Sequence, residues 1–245
     1  MKKMAFYSIK GGVGKSSVAV NIAFLASKSG IRTLLLDLDA QGAGSFYLNV
    51  EAVAGTNLKS LALGKHAVLD QIRASDYPGL DVIPARDGLR NLDLILDKNE
   101  SGLMPLASRL VKEYDLLVID CPPQIGVTGE AIFALSDALM IPTIPSPLSV
   151  RTLEQVTAIF ARKKLDQTII RPFISMFDGR KKLHHQTAES IKAHFAACLE
   201  TVIPYAAEFE KMGIQQAPLS RYAPSGKAGI AMQALFDEMR KKELL

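Results

Sequence analysis

Short apolar runs recur along this chain, separated by longer stretches in which apolar residues are spaced three or four positions apart. Such runs are typical of strands covered on both faces, and the longer stretches are typical of helices. The predicted strands are residues 4–9, 32–37, 80–84, 116–120, 138–142, 169–175 and 201–203, and the predicted helices include residues 18–26, 150–162 and 183–199. This alternation predicts an α/β fold, a doubly wound, mostly parallel sheet with helices on both faces.

Three regions are less easily assigned. Residues 55–61 are predicted to form a short capped helix within the irregular region 50–71, and residues 87–102 have a mixed pattern. The C-terminal segment, residues 228–245, is amphipathic, with Ile230, Leu235, Phe236 and Met239 predicted along one stripe. We expect that stripe to pack against the sheet. A membrane-targeting helix is the alternative interpretation, although the acidic residues among the basic ones make that interpretation weaker. With no linker or repeat visible, one domain spanning residues 1–245 is the simplest interpretation.

A glycine-rich segment joins the first predicted strand to the first predicted helix. Strand, glycine-rich loop and helix are the context in which a loop binds phosphate, because its backbone N–H groups and the helix N-terminus both favour an anion. Lys15 is expected to reach the terminal phosphates, and the Ser16 hydroxyl to bind Mg²⁺. Ile9 stands where the common motif has glycine, and a second lysine, Lys10, precedes the loop. The predicted nucleotide-binding residues here are Lys10, Gly11, Gly12, Val13, Gly14, Lys15, Ser16 and Ser17.

Acidic residues follow two of the predicted strands. Ligands bind outside the carboxyl ends of strands in such folds, so we expect Asp39 and Asp120 to lie near the phosphate loop. Asp120 suits Mg²⁺, an ion that keeps several waters and takes few carboxylates directly. Asp39 is expected to orient or deprotonate the attacking water, and Asp37 to bond the backbone at its strand end. Ser16, Asp39 and Asp120 are therefore the predicted metal-site residues.

Composition narrows the class of protein. The 245 residues hold 29 Lys+Arg against 25 Asp+Glu, a mildly basic balance that does not by itself indicate nucleic-acid binding. Cys121 and Cys198 form no CxxC pair and have no metal-ligand spacing, which favours a reducing, cytoplasmic location. No apolar run is long enough for a transmembrane segment, and no signal peptide fits before the first strand.

The motifs closely resemble those of the ParA/MinD family, whose phosphate loop is the deviant Walker A box. The matching segments are Lys10–Ser17 in the loop, Asp37, Asp39, Gln41 and Gly42 after the second strand, Asp120, Pro122 and Pro123 at the Walker B strand, 175–180, and 202–204. The resemblance implies a P-loop ATPase that binds ATP and Mg²⁺ in a nucleotide-sandwich dimer. It implies that Lys10 contacts the partner's ATP, that Lys10, Lys15 and Asp39 serve catalysis, and that Met176 and Pro204 lie beside the base.

The resemblance also implies partners. The ATP-dependent homodimer is expected to bind non-specific DNA, to be stimulated by a ParB-like or adaptor protein, and to position a plasmid, chromosome or protein assembly. Ala206 and Glu208 replace an asparagine and an arginine of the family pattern, so DNA contact is assigned to the remaining basic residues Arg180, Lys181, Lys182, Arg221 and Lys227. Two alternatives stay open: a MinD-like membrane-associated regulator, and an iron–sulfur or reductase relative, which would need cysteine ligands that the spacing does not supply.

Overall fold

A computed structural model describes residues 1–52, 62, 64, 66–86, 88–99 and 101–245. The predicted short helix at residues 55–61 lies outside the described residues. The strands are β1 (Lys2–Phe6), β2 (Thr33–Asp37), β3 (Arg73–Ala74), β4 (Leu80–Ile83), β5 (Leu116–Asp120), β6 (Ala138–Thr143), β7 (Ile170–Phe177) and β8 (Val202–Pro204). The helices are α1 (Lys15–Lys28), α2 (Ala43–Tyr47), α3 (Leu92–Leu96), α4 (Met104–Leu110), α5 (Val127–Leu135), α6 (Pro147–Lys163), α7 (Lys182–His194), α8 (Ala207–Gln215), α9 (Leu219–Tyr222) and α10 (Lys227–Lys241).

The described strands form one eight-stranded sheet in the order β3-β4-β2-β5-β1-β6-β7-β8, and only β3 runs antiparallel to its neighbour. The predicted α/β class, with a mostly parallel sheet, is confirmed. All five residues of β5 are buried: Leu117 and Ile119 face one hydrophobic core, while Leu116 and Val118 face the other. Burial on both faces explains why these strands read as continuous apolar runs.

Several predicted boundaries were wrong by a few residues. The first strand ends at Phe6 rather than residue 9, because the chain turns there into the glycine-rich loop. The helix predicted at 183–199 ends at His194, and the following residues form turns. Boundaries depend on capping and tertiary contacts more than on apolar periodicity.

The C-terminal helix α10 packs against α1 and β8, as the amphipathic pattern predicts. Its buried stripe includes Met232, Leu235, Phe236 and Met239. Ile230 was wrongly placed on that stripe: its side chain is 59% exposed. Among the described residues, no helix combines the length and the apolar character that crossing a membrane requires.

Register brings three strand ends to one level. Asp120 of β5 pairs with Phe6 of β1 on one side and with Asp37 of β2 on the other. The chain runs from β1 to β2 and later from β5 to β6, so the connections diverge on either side of β1. Ligands of open α/β sheets bind at such a switch point.

Candidate nucleotide site

The loop between β1 and α1 adopts backbone conformations that favour glycine. Gly12 and Gly14 have φ of 71° and 92°, in the left-handed region. Gly14 is also the N-cap of α1, and a Cβ there would lie 3.3 Å from Ser175 Oγ. At Gly11 and Gly12 a Cβ would have nothing within 4 Å, so this part of the loop faces open space. The Ser175 hydroxyl donates to the Val13 carbonyl at 2.9 Å and joins β7 to the loop.

Two of the expected phosphate and metal ligands begin α1. The Lys15 side chain is buried, with 6% of its surface exposed, and Ser16 follows it in the first turn. The first N–H groups of a helix lack partners within the helix, so this end offers donors and a positive dipole to an anion. Its position directly after the glycines fits the predicted phosphate cradle.

Asp120 is the most unusual carboxylate in the described structure. It is fully buried, and neither of its oxygens has a hydrogen-bond partner among the described residues. Burial raises its pKa well above the usual range, and the nearby Asp37 adds to the effect, while Ser16 and Lys15 oppose it. A buried, unpaired carboxylate is costly unless a cation or donor compensates it.

Asp37 and Asp39 have different surroundings. Asp37 Oδ2 accepts from the Ser45 backbone N–H at 2.8 Å and from the Ser45 hydroxyl at 2.7 Å, and Oδ1 accepts from the Asp39 N–H at 3.2 Å. Burial raises the pKa of Asp37 to about 6 despite these bonds. Asp37 thus bonds the backbone, as expected. Asp39 is buried in the same turn, where its Oδ1 accepts from the Gln41 N–H at 3.0 Å.

These residues fit a magnesium ion bound together with a nucleotide. Within the described part of the chain, no three His, Cys, Asp or Glu side chains are grouped to hold a metal by themselves. Mg²⁺ needs no such group, because it keeps waters and takes one or two protein ligands plus substrate phosphates. The uncompensated Asp120 carboxylate, with the Ser16 hydroxyl near enough to favour its charged form, is the donor set this requires.

A cavity of about 220 Å³ continues from the phosphate loop. Met176 and Pro204, expected beside the base, both line it, and Met176 has a φ of 53°, which is uncommon outside glycine. Several residues that line the cavity were not predicted, because no sequence motif marks residues that converge from separate elements. The lining residues are Gly12, Gly14, Ser17, Val18, Tyr47, Ser175, Met176, Ile203, Pro204, Tyr205, Ala206, Phe209 and Glu210.

The Lys10 side chain contacts another residue of the same subunit. Its Nζ lies 3.4 Å from Ser149 Oγ near the start of α6, and its backbone N–H donates to Ser8 Oγ at 3.2 Å. Burial lowers the pKa of Lys10. Contact with a second subunit therefore requires the ammonium to leave Ser149.

The five basic residues assigned to DNA do not form one group. Arg180 makes a two-bond contact with Asp178 at 2.9 Å, and Lys181 lies 3.9 Å from the same carboxylate. Both follow the carboxyl end of β7, and Lys182 begins α7 there. The Arg221 guanidinium instead lies 6.0 Å from the ring centre of Tyr77, which precedes β4. Five strand positions separate β4 from β7, about 24 Å at the usual spacing.

Lys227 is the last of the assigned residues. It begins α10 directly after Gly226, where a Cβ would meet Glu208 Oε1 at 2.9 Å. An acidic side chain therefore lies beside this lysine. Arg221 and Arg180 therefore lie on different parts of the surface, and the assignment of each to DNA stays a prediction.

A phosphate loop between β1 and α1 of a parallel sheet, with an acid at the end of the next strand, defines a P-loop nucleoside triphosphatase. A family model described as an AAA domain matches residues 1–171. The sporulation initiation inhibitor protein Soj of Bacillus subtilis is 31% identical over 235 residues, which cover 92% of this chain and 93% of Soj. The chromosome partitioning protein ParA of Myxococcus xanthus is 28% identical, over 96% of this chain and 86% of that protein. The chain belongs to the ParA/MinD family of P-loop ATPases.

Solved structures share the fold. The ATP complex of a McdA variant from Cyanothece aligns with a TM-score of 0.81 and 21% identity, over 98% of this chain and 96% of that one. The septum site-determining protein MinD of Pyrococcus horikoshii, complexed with Mg-ADP, aligns with a TM-score of 0.77 and 20% identity, over 99% and 97%.

Proposed function

We propose that this protein binds and hydrolyses Mg-ATP, and that its nucleotide state controls a homodimer that positions a cargo. The observation that best supports this is the buried Asp120 carboxylate, unpartnered among the described residues and close to Lys15 and Ser16 beside the phosphate loop. A bound Mg²⁺ would neutralise this carboxylate and the charge that develops on the transferred phosphoryl group. The relatives include a chromosome partitioning protein and a septum site-determining protein, so the cargo stays open.

The residues take distinct roles in this proposal. Lys15 and the loop N–H groups hold the phosphates, and Ser16 and Asp120 hold the metal. Asp39 orients the attacking water, for which its turn with Gln41 fixes the carboxylate. Positioning and charge stabilisation supply most of the catalysis in phosphoryl transfer. The resemblance to the family adds the expectation of a slow intrinsic rate that a ParB-like or adaptor protein stimulates.

Lys10 links the nucleotide to assembly. In the single chain its ammonium is held at Ser149. In the dimer it would contact the partner's ATP, adding positive charge to phosphates that both subunits share. Loss of the γ-phosphate would weaken that contact, so nucleotide state becomes assembly state.

Arg180, Lys181 and Lys182 are the strongest candidates for non-specific DNA binding. They are exposed and consecutive, although Asp178 neutralises part of their charge. In a dimer this group would occur twice, which increases binding through avidity. The MinD-like alternative lacks comparable support, because the apolar stripe of α10 is buried against α1 and β8.

DNA co-sedimentation with ATP, ADP or no nucleotide, at low and high salt, tests the proposal. We expect ATP-dependent, salt-sensitive binding that Lys10→Ala abolishes. Arg180→Ala should reduce binding, whereas Arg221→Ala, the matched control of equal charge, should change it much less. Binding to anionic vesicles but not to DNA would favour the membrane alternative, and an unchanged monomer with ATP bound would refute the dimer switch.

A further inference from the structure

The base cavity contains an acid that no motif predicts. Among the described residues that line it, Glu210 is the only one with a charged side chain. Ala206, the N-cap of the same helix, also lines the cavity but offers only a methyl group. Of these two residues, only Glu210 can therefore hydrogen-bond through its side chain to a polar ligand in the cavity.

Glu210 is held by its helix and by a neighbouring ring. It lies in the first turn of α8, and both it and Ala206, the N-cap of that helix, line the cavity. The Tyr205 hydroxyl donates to Glu210 Oε1 at 3.4 Å. Since a carboxylate accepts several hydrogen bonds, Glu210 retains capacity for further donors.

A carboxylate in the cavity distinguishes the purines by the position at which it meets the base, because guanine has donors of its own at N1 and at its 2-amino group whereas adenine has its donor at position 6. Val18, Ile203 and Phe209 supply apolar surface for the faces of a planar base. An ionised carboxylate only accepts hydrogen bonds. At position 6 adenine has an amino donor, whereas guanine has a carbonyl acceptor that a carboxylate repels.

We infer that Glu210 determines base specificity by accepting a hydrogen bond from the 6-amino group of adenine, and that Tyr205 positions its carboxylate. This inference rests on the proposed binding of ATP. It adds to that function a residue that selects the base. The phosphate loop cannot select it, because all nucleoside triphosphates carry the same phosphate groups.

Calorimetric titration of the full chain with ATP, purine riboside triphosphate (which lacks the 6-amino group) and GTP, each with Mg²⁺, tests it. For the wild type we expect ATP to bind about tenfold more tightly than the purine analogue, as one charge-assisted hydrogen bond at an exposed position allows. Glu210→Ala should bring that ratio close to one while affinity for the analogue stays unchanged. Glu210→Gln, which keeps an acceptor, should retain part of the ratio, and Tyr205→Phe should lower it partially.

Glu208→Ala is the matched control. It removes the same charge two residues earlier in α8, where the carboxylate approaches Gly226 instead of the cavity. A Glu210→Ala variant with an unchanged ratio would overturn the inference, as would tighter binding of GTP than of ATP by the wild type. If the wild type binds ATP but discriminates through other residues, only this inference fails. If it binds no ATP, the proposed function fails as well.

Discussion

Replacing Asp120 by asparagine should stabilise the nucleotide-free protein and at the same time abolish its stabilisation by Mg-ATP. Asp120 is fully buried beside Asp37. Both Oδ2 atoms lie 3.1 Å from the point that a Cβ on Gly44 would occupy, so they are at most about 6 Å apart. Two charges at about 6 Å repel by about 3 kcal/mol at an effective dielectric constant of 20. The neutral amide of the Asp120→Asn variant would remove that repulsion.

The sign of the pH dependence follows from the raised pKa values. A carboxyl whose folded pKa exceeds its unfolded value favours folding at low pH, and that contribution is lost as pH rises. For Asp37 the loss falls between its unfolded pKa of about 4 and its folded pKa of about 6. For Asp120, whose pKa is raised further, the loss continues to higher pH. The free energy of unfolding of the wild type should therefore decrease from pH 4 to pH 8, and less so in Asp120→Asn.

Thermal unfolding with a chelator, at pH 4, 6 and 8, provides the assay. At pH 8 we expect Asp120→Asn to unfold roughly 6–12 °C above the wild type, since 1 kcal/mol corresponds to about 2–4 °C for a chain of this size. The difference should shrink at pH 4. Adding Mg-ATP at about 1,000 times its Kd should reverse the order, because ligand at that concentration stabilises the wild type by about 4.1 kcal/mol.

Asp76→Asn, on an exposed turn before β4, controls for the loss of one carboxylate far from the site. It should leave both the pH dependence and the response to Mg-ATP unchanged. The reasoning is refuted if Asp120→Asn is no more stable than the wild type at pH 8 without ligand, or if Mg-ATP stabilises both proteins equally.

Three further predictions concern the loop, the lysine contact and a buried thiol. Gly14→Ala should weaken ATP binding by about tenfold or more in calorimetric titration. A non-glycine residue at a left-handed φ costs roughly 1–2 kcal/mol, and the new Cβ would crowd Ser175. Gly11→Ala is the control, and it should change affinity little because open space surrounds that position. Ser149→Ala should release Lys10 and increase the ATP-dependent dimer fraction in sizing experiments; a decrease would contradict the idea that this contact competes with assembly. Because burial raises the pKa of Cys121 well above its usual range, a thiol reagent at pH 8 should modify it only after unfolding, as mass spectrometry would detect.

Much of the fold was predictable because its signals are local. Strands covered on both faces are apolar throughout, as β2 and β5 are, and the alternation with helices predicts a parallel sheet. The phosphate loop was predictable for the same reason, since the left-handed backbone at Gly12 and Gly14 restricts the residue type at those positions.

Other features depended on the packing of distant segments. The apolar pattern included Ile230 in the buried stripe of α10, yet the contacts with α1 and β8 leave it exposed. His184 is buried in α7, where its ring accepts from the Asp178 N–H at 3.0 Å, and no sequence motif indicates this contact. Periodicity gives the relative orientation of side chains, but not how wide a face the neighbouring elements cover.

The sequence by itself determined the parallel α/β architecture and the glycine loop, together with the acids at the ends of β2 and β5, because residue type and local backbone conformation are linked within a few positions. Only the tertiary structure decided that Asp120 is left unpaired while Asp37 bonds Ser45, and that Arg221 lies apart from Arg180. It also decided that Glu210 reaches the base cavity. Burial, electrostatic coupling and cavity shape arise between segments far apart in the chain, and no local pattern of residues encodes them.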